Sequence, residues 1–367
     1  MLKRYHIKNY NFRLIAYVVI LTAIGISVIG SANEDYQSRQ LLGLFIGLAV
    51  MAVISLLDYS ILVRFGLIFY GLNILLLILV HFFGHDSNNA RRWIEIAGIR
   101  FQPSELGKIL LILFFAWYFM RHAETINTVR VIGGALILAG IPLFLVLEQP
   151  DLSTTIVTFL IFIVLLFIAG LSYKIILAVL AITVPTAMIL LSLILQPDQQ
   201  ILEHFQWLRI QAWLHPEEYP DVAMQQLNSI TAIGSGQLWG KGLNNTDVTS
   251  VKNGNFIPEP QTDFIFAVVG EELGFVGSAI IVLLLFLITL ECILVARKAK
   301  DLAGRLICGG MAALVGMQSF MNIGVTMGLL PNTGLPLPFV SYGLTSLVTL
   351  FLGIGIVLNV GLQPKKY

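Results

Sequence analysis

Charge is what this 367-residue chain has least of, since Asp, Glu, Lys and Arg together supply 12% of it against roughly 25% in ordinary soluble domains. Cysteine is almost absent. The two present, Cys292 and Cys308, fall near apolar helix ends, which excludes a disulfide-stapled secreted scaffold. Lys+Arg 22 against Asp+Glu 21 leaves no basic excess, which excludes a nucleic-acid partner. Internal repeats, low-complexity tracts and any stretch resembling a soluble domain are also missing. A cleaved leader is not expected, because Lys3, Arg4, Lys8 and Arg13 precede a run of spanning length that has no small-residue cleavage site. What fills the sequence instead is hydrophobic: 57% of residues, with a mean hydropathy of +0.86. A soluble core cannot absorb that excess, so lipid must solvate most of it.

Apolar segments approaching the roughly 20 residues that a spanning helix needs fall near 14–32, 40–57, 61–83, 105–121, 131–147, 153–170, 174–196, 264–296, 305–328 and 339–361. The expectation is an all-α polytopic membrane protein of about ten helices, a single domain over 1–367. The 264–296 stretch exceeds one membrane thickness, which predicts a tilt, or a short segment entering the helix at Gly274 or Gly277. With the amino terminus in the cytoplasm, most Lys and Arg fall inside, as the positive-inside rule requires, and both termini are cytoplasmic. Arg91, Arg92, Arg100 and Lys108 break that rule by falling outside. One connection is large, about 197–262, and faces outward. Within it Ile201, Leu202, Phe205, Leu208, Ala212 and Trp213 recur at helical spacing, which reads either as an amphipathic helix in the lipid interface with Trp207 and Trp213 at headgroup depth, or as a helix packed on the protein's own loops.

Polar residues gather in a few places. In Arg100-Phe101-Gln102-Pro103-Ser104-Glu105-Leu106-Gly107-Lys108 the Pro-Ser-Glu run predicts a helix start, with Ser104 capping and Glu105 favoured by the helix dipole. Ringed by Arg92, Arg100 and Lys108, that terminus suits an anionic headgroup such as a pyrophosphate. The plainer alternative is that Glu105 and Lys108 pair along one helix face. Asp151, in Glu148-Gln149-Pro150-Asp151, is either an N-cap or a partner for those cations. In Pro258-Glu259-Pro260-Gln261-Thr262-Asp263-Phe264-Ile265-Phe266, Thr262 or Asp263 can cap the next helix. Phe264 and Phe266 beside Asp263 would desolvate its carboxyl and raise its pKa towards that of a useful base. Glu271 and Glu272 lie deeper, where carboxylates are costly enough to be functional candidates. Gly234-Ser235-Gly236 and Gly240-Lys241-Gly242 lack the spacing of a nucleotide loop and read as a tight turn whose Lys241 touches phosphate. The Pro- and Gly-rich stretch from Gly328 through Ser341-Tyr342-Gly343 predicts an irregular, re-entrant outer connection.

These pieces, in this order and over most of the chain, resemble the shape, elongation, division and sporulation (SEDS) proteins, the family of RodA, FtsW and SpoVE. The likeness is carried by Arg91-Arg92-Trp93, Phe101-Gln102-Pro103-Ser104-Glu105, Gln149-Pro150-Asp151-Leu152, Thr262-Asp263-Phe264-Ile265-Phe266, Glu271-Glu272-Leu273-Gly274 and Pro338-Phe339-Val340-Ser341-Tyr342-Gly343. Ser153, Leu344 and Asn89 depart from the family's usual residues, and none is assigned to chemistry. The resemblance implies a ten-helix fold and a peptidoglycan glycosyltransferase in the cytoplasmic membrane. It implies polymerisation of lipid II at the outer face, beside a class B penicillin-binding protein as transpeptidase. The short termini lean towards the elongation type over the division type.

Asp263 is then expected to be the general base, with Arg92, Arg100, Lys108, Arg39 and Lys241 stabilising the departing pyrophosphate and Glu105, Asp151, Glu271 and Ser341 completing the substrate site. No ligand spacing demands a metal, although a divalent cation, Mg or Mn, bridging pyrophosphate and carboxylates fits the chemistry. A lipid flippase is the rival reading. Transporters, however, place their site at the midplane between repeats, whereas here the polar residues collect at one face.

Overall fold

The computed structural model describes residues 10–87, 90–96, 99–194, 196, 202–244, 250, 254 and 256–363. Lys3, Arg4, Lys8, Asn89, Pro197, Ile201, Lys365 and Lys366 lie outside the described residues. Helices occur at all ten expected apolar segments: α1 (Phe12–Ala32), α2 (Glu34–Leu56), a short α3 (Tyr59–Arg64) leading into α4 (Gly66–Phe83), α5 (Pro103–Arg121), α6 (Val129–Leu147), α7 (Leu152–Ile168), α8 (Tyr173–Ile194), α11 (Ile265–Lys298), α12 (Leu302–Thr326) and α13 (Leu344–Leu362). Two further helices, α9 (His204–Leu214) and α10 (Pro220–Ser235), lie in the large connection. Among the described residues, eight helices are long and apolar enough to cross a membrane, and α7 is a shorter apolar one.

Local chemistry starts several of them. Asn11 accepts from Leu14 N at 3.1 Å and Asp301 from Gly304 N at 2.8 Å, each satisfying an amide that has no partner inside its own helix. The expected cap at Ser104 is not formed. Gln102 is the residue preceding α5 and Pro103 opens it, a position where the missing N–H costs nothing, while the Ser104 hydroxyl is buried without a partner.

The all-α expectation needs one addition. Between α4 and α5 lies a small antiparallel sheet, β1 (His85–Ser87), β2 (Ala90–Ile96) and β3 (Ile99–Phe101), in the order β1-β2-β3. Glu95 pairs with Arg100 across it, and β2 carries Arg92.

Helices α5 and α12 form the centre, each with 78% of its apolar window buried, while α1, α2, α4, α6 and α11 reach no more than 50% and turn the rest of their apolar surface outward. Phe114, Phe115, Phe119, Leu306 and Val315 fill the middle. The two ends of the bundle are tied differently. At one end Asn11 donates to Glu291 at 2.8 Å, and Lys300 reaches Gln363 at 2.6 Å and lies over the Tyr59 ring. Arg64, Arg121, Arg297 and Lys298 stand in the last turns of their helices at that end. The opposite end holds α9, α10, the sheet and the loop that follows α12.

Helix α11 runs for 34 residues, about 50 Å at 1.5 Å per residue, well beyond a hydrocarbon core of about 30 Å. It breaks where the sequence indicated, at Gly274, whose φ of 65° and ψ of −163° suit only glycine. A Cβ on Gly274 would also strike the backbone of Leu238 to Gly240. Residues 265–273 therefore form a buried half-helix at the second end, and the remainder spans.

Candidate active site

Asp263 stands two residues before α11, at the mouth of the buried half-helix. The anticipated cap does not form: Phe264 precedes the helix without a side-chain cap, and the Thr262 hydroxyl turns back to Glu259 O at 2.8 Å. The Asp263 carboxylate makes no hydrogen bond among the described residues. It is partly open to solvent, and the neighbouring Phe264 and Phe266 are buried, 4% and 3% exposed. Burial pushes its carboxyl up to about 6, Arg209 and Arg92 pull it down, and Asp151 and Glu259 add to the rise. An ionised base with a pKa near neutrality is what proton abstraction needs.

The backbone around Asp263 is held from three sides. Asn322 Nδ2 donates to Asp263 O at 2.7 Å and to Leu335 O at 2.6 Å. Ser341 Oγ donates to Thr262 O at 2.6 Å and accepts from Leu337 N at 2.7 Å. Gln40 of α2 donates to Ser341 O and accepts from Gly343 N, both at 3.1 Å. The irregular connection after α12 is thus laid directly on the loop that bears Asp263. Gly334, at φ +70°, faces the carboxylate so closely that a Cβ there would lie 3.2 Å from Oδ2.

Two cations approach from other elements. Arg92 of β2 donates through Nε to Gln149 O at 3.2 Å and through Nη2 to Pro150 O, and its Nε lies 3.9 Å from Asp151. Asp151 fills both roles considered for it. It caps α7 through Thr154 N at 3.1 Å and also faces Arg92. Gln102 reaches the same carboxylate at 3.3 Å. Arg209 of α9 lies between the apolar positions Leu208 and Ala212 of that helix. The structure brings it into the field of Asp263, Asp151 and Arg92, with burial and Arg92 lowering its pKa and the two carboxylates opposing them. Its partners lie more than 50 positions away on other elements, so no local pattern signalled it.

The other candidates are placed differently. Lys108 is 1% exposed and engaged by Glu105 at 2.7 Å and Gln318 at 2.6 Å. The pairing alternative describes it, with two of the three ammonium donors taken by Glu105 and Gln318. Glu105 also accepts from Ser346 of α13 at 3.2 Å. Lys241 donates to Glu271 at 2.8 Å rather than standing free for phosphate, and its backbone N–H and that of Gly242 bond Glu271 O and Glu272 O, both at 2.9 Å. Glu272 accepts from Ser31 at 2.6 Å. These contacts seat the glycine-rich turn on the break in α11. Ser341 is a backbone clamp. Arg39 and Arg100 are exposed, Arg39 beside Gln40 and Arg100 holding Thr345 through its carbonyl at 3.1 Å.

Helix α9 takes the second of its two sequence readings, packing on protein: Trp213 donates to Gly328 O at 2.9 Å and Gln206 to Pro150 O at 3.4 Å. Helix α10, unforeseen, braces the far end of α12 through Gln226 and Ser229.

A family model described as "Cell cycle protein", for FtsW, RodA and SpoVE, matches residues 7–366. The chain belongs to this family. It is a multi-pass membrane protein, as the SEDS resemblance implied. The "probable peptidoglycan glycosyltransferase FtsW" of Geobacter sulfurreducens is 32% identical over 98% of this chain and 97% of its own length. The "peptidoglycan glycosyltransferase MrdB" of Escherichia coli K12 is 33% identical over 96% and 93%. A chain solved under the description "Structural coordination of polymerization and crosslinking by a peptidoglycan synthase complex" superposes with a TM-score of 0.78 at 30% identity, covering 96% of this chain and 97% of that one. The rod shape determining protein RodA of Thermus thermophilus gives 0.69 at 28% identity, covering 96% of both. Relatives named for both branches match over the full length, so likeness does not separate elongation from division type.

Proposed function

We infer that this chain is a peptidoglycan glycosyltransferase that joins lipid-linked disaccharide units, lipid II, at the outer face of the cytoplasmic membrane. The observation that carries the mechanism is a half-buried carboxylate without hydrogen-bond partners among the described residues, Asp263, in the electrostatic field of Arg209 and Arg92. Membership in the family and the names of the relatives support the reaction class. The gathering of Arg64, Arg121, Arg297 and Lys298 at the end remote from Asp263 supports the orientation, because basic residues are retained in the cytoplasm.

In this reading Asp263 removes the proton from the 4-hydroxyl of the acceptor sugar as that oxygen attacks the anomeric carbon of the donor. The bond to the pyrophosphate breaks with inversion, and the electron pair leaves on the phosphate oxygen. Arg209 and Arg92 are the cations in reach of Asp263's field, and they would stabilise charge developing on that leaving group. Burial raises the base towards neutrality while the two guanidiniums favour its ionised form. Among the described residues no three His, Cys, Asp or Glu side chains gather as a metal site, so a divalent cation would be one shared with the substrate's own pyrophosphate. The transpeptidase partner is proposed as a class B penicillin-binding protein, supported by the synthase complex to which one solved relative belongs.

Labelled lipid II polymerisation by the purified protein with its partner tests the assignment. Asp263→Asn is expected to lower the rate about 100-fold or more. The wild-type rate is expected to fall as pH drops through about 6, the value to which the carboxyl is pushed, because only the ionised form accepts the proton. Wild-type polymerisation by Asp263→Asn, or an acid limb at ordinary carboxylate pH, would remove Asp263 from the role.

A further inference from the structure

We propose that Asn322 is a positioning residue for the base: its amide fixes the backbone of Asp263 to that of Leu335, and so sets the carboxylate against Gly334. This rests on the reading of Asp263 as the base.

Asn322 lies within α12, 1% exposed. One atom, Nδ2, spends its two hydrogens on two carbonyls from segments far apart in sequence, Asp263 O at 2.7 Å and Leu335 O at 2.6 Å. Only a primary amide offers two donors from one short, uncharged arm. Reversing that amide would set an oxygen against both carbonyls, so its orientation is fixed by its partners. Its Oδ1 is buried with no partner among the described residues, a cost the site carries to keep both donors in place. One turn earlier on the same helix face, Gln318 donates to Pro336 O at 3.0 Å. The pair therefore holds consecutive carbonyls of the outer connection, and Asn322 alone of the two also holds the base.

Gly334 sits between these anchors. Its hypothetical Cβ, 3.2 Å from Asp263 Oδ2, measures how closely the connection approaches the carboxylate. If the two backbones part, the carboxylate gains room to rotate and water gains access to it. The charged groups that face it are Arg209 from α9, Arg92 from β2, Asp151 from the head of α7 and Glu259 from its own loop, and among the described residues none of these hydrogen-bonds Asn322. A change at Asn322 therefore reaches the base through geometry and hydration.

The test is Asn322→Ala in the lipid II polymerisation assay with the partner present, read as kcat, KM and the acid limb of the rate. Turnover per folded molecule is expected to fall about tenfold to 100-fold, the scale of an ångström-sized misplacement, with KM within about twofold. The acid limb should move to lower pH as water relieves the desolvation of Asp263. Asn322→Ser, which keeps one donor, should fall between the two and serves in place of Ala if Ala does not fold. A loss confined to the yield of folded protein, with turnover and acid limb as in the wild type, overturns the positioning role. Asp263→Asn is run alongside. If it polymerises at the wild-type rate, the base reading fails and the role of Asn322 with it. If it is inactive while Asn322→Ala keeps the wild-type limb, only the role of Asn322 fails.

Discussion

Two groups of charged residues sit at the same end of this bundle and behave as opposites. Glu105 with Lys108, and Glu271 with Lys241, are ion pairs whose carboxylates are 4% and 2% exposed, each also accepting from a serine hydroxyl, Ser346 for Glu105 and Ser250 for Glu271. Asp263 and Arg209 share an electrostatic field but form no direct ion pair within 4 Å among the described residues. Residue type does not separate the two groups, since each contains an acid and a base in an apolar setting. What separates them is reach. A lysine three residues from a glutamate on one helix, or a glycine turn laid on a helix break, closes the pair. An aspartate on a loop and an arginine on a helix that packs from the side stay apart, coupled by their field without a direct pair.

The comparison breaks most visibly at Lys108. Lys108→Met leaves Glu105 buried without its cation, and removal of one partner of such a pair costs roughly 3–5 kcal/mol. Thermal unfolding in detergent should show a larger drop for Lys108→Met than for Arg209→Ala or Asp263→Asn. Glu105→Gln combined with Lys108→Met should recover most of the loss and retain polymerisation. A well-folded but inactive double variant would instead move this pair into the group that meets substrate.

Arg209 sharpens the comparison from the other side. Arg209→Ala removes a cation with no ion-pair partner within 4 Å among the described residues, so its effect should fall on the reaction. We expect polymerisation to drop about 30-fold, close to 2 kcal/mol, while the unfolding midpoint shifts by no more than about 2 °C. The Phe205 ring lies 5.8 Å from the guanidinium, so part of any stability change reflects that lost stacking. A stability loss like that of Lys108→Met, with turnover preserved, would place Arg209 among the structural pairs.

The sequence revealed the spans because each is a run of roughly 20 apolar residues, a pattern local to the chain. The break in α11 was legible for the same reason: 264–296 is too long for one membrane, and a glycine stood where the excess began. Asp263 was legible because its neighbours Phe264 and Phe266 announce its environment. The β1-β2-β3 sheet was not, since strands of three to seven residues carrying Arg and Glu show no alternation long enough to detect. Helix α10 was hidden by its low hydropathy and by a glycine-rich end that resembles a loop. Arg209 and Asn322 were the most consequential omissions, and both depend on contacts between elements that only the fold creates. The same limit applies to Lys241, whose partner Glu271 lies 30 positions away, and to the Gln318 that joins Lys108, whereas the Glu105 partner of Lys108 was visible three residues off.

The smallest effect tests the comparison on the acid itself. The carboxyl of Asp263 is pushed up to about 6 in the folded protein, above the ordinary value near 4, so folding disfavours its charge. The sign follows from linkage. Below about pH 4 the group is protonated in both states and costs nothing; the penalty grows between about 4 and 6 and is complete above that. Asp263→Asn removes the charge and should therefore raise the unfolding midpoint at pH 7.5 by roughly 2 °C, with little change at pH 4, the shift being held small by the carboxylate's partial exposure. Glu105→Gln alone should do the reverse at pH 7.5, because that carboxylate answers a buried lysine. A variant that loses activity yet gains stability marks a residue kept for chemistry at the expense of the fold, and that pairing of outcomes is expected for Asp263 and for neither Glu105 nor Glu271.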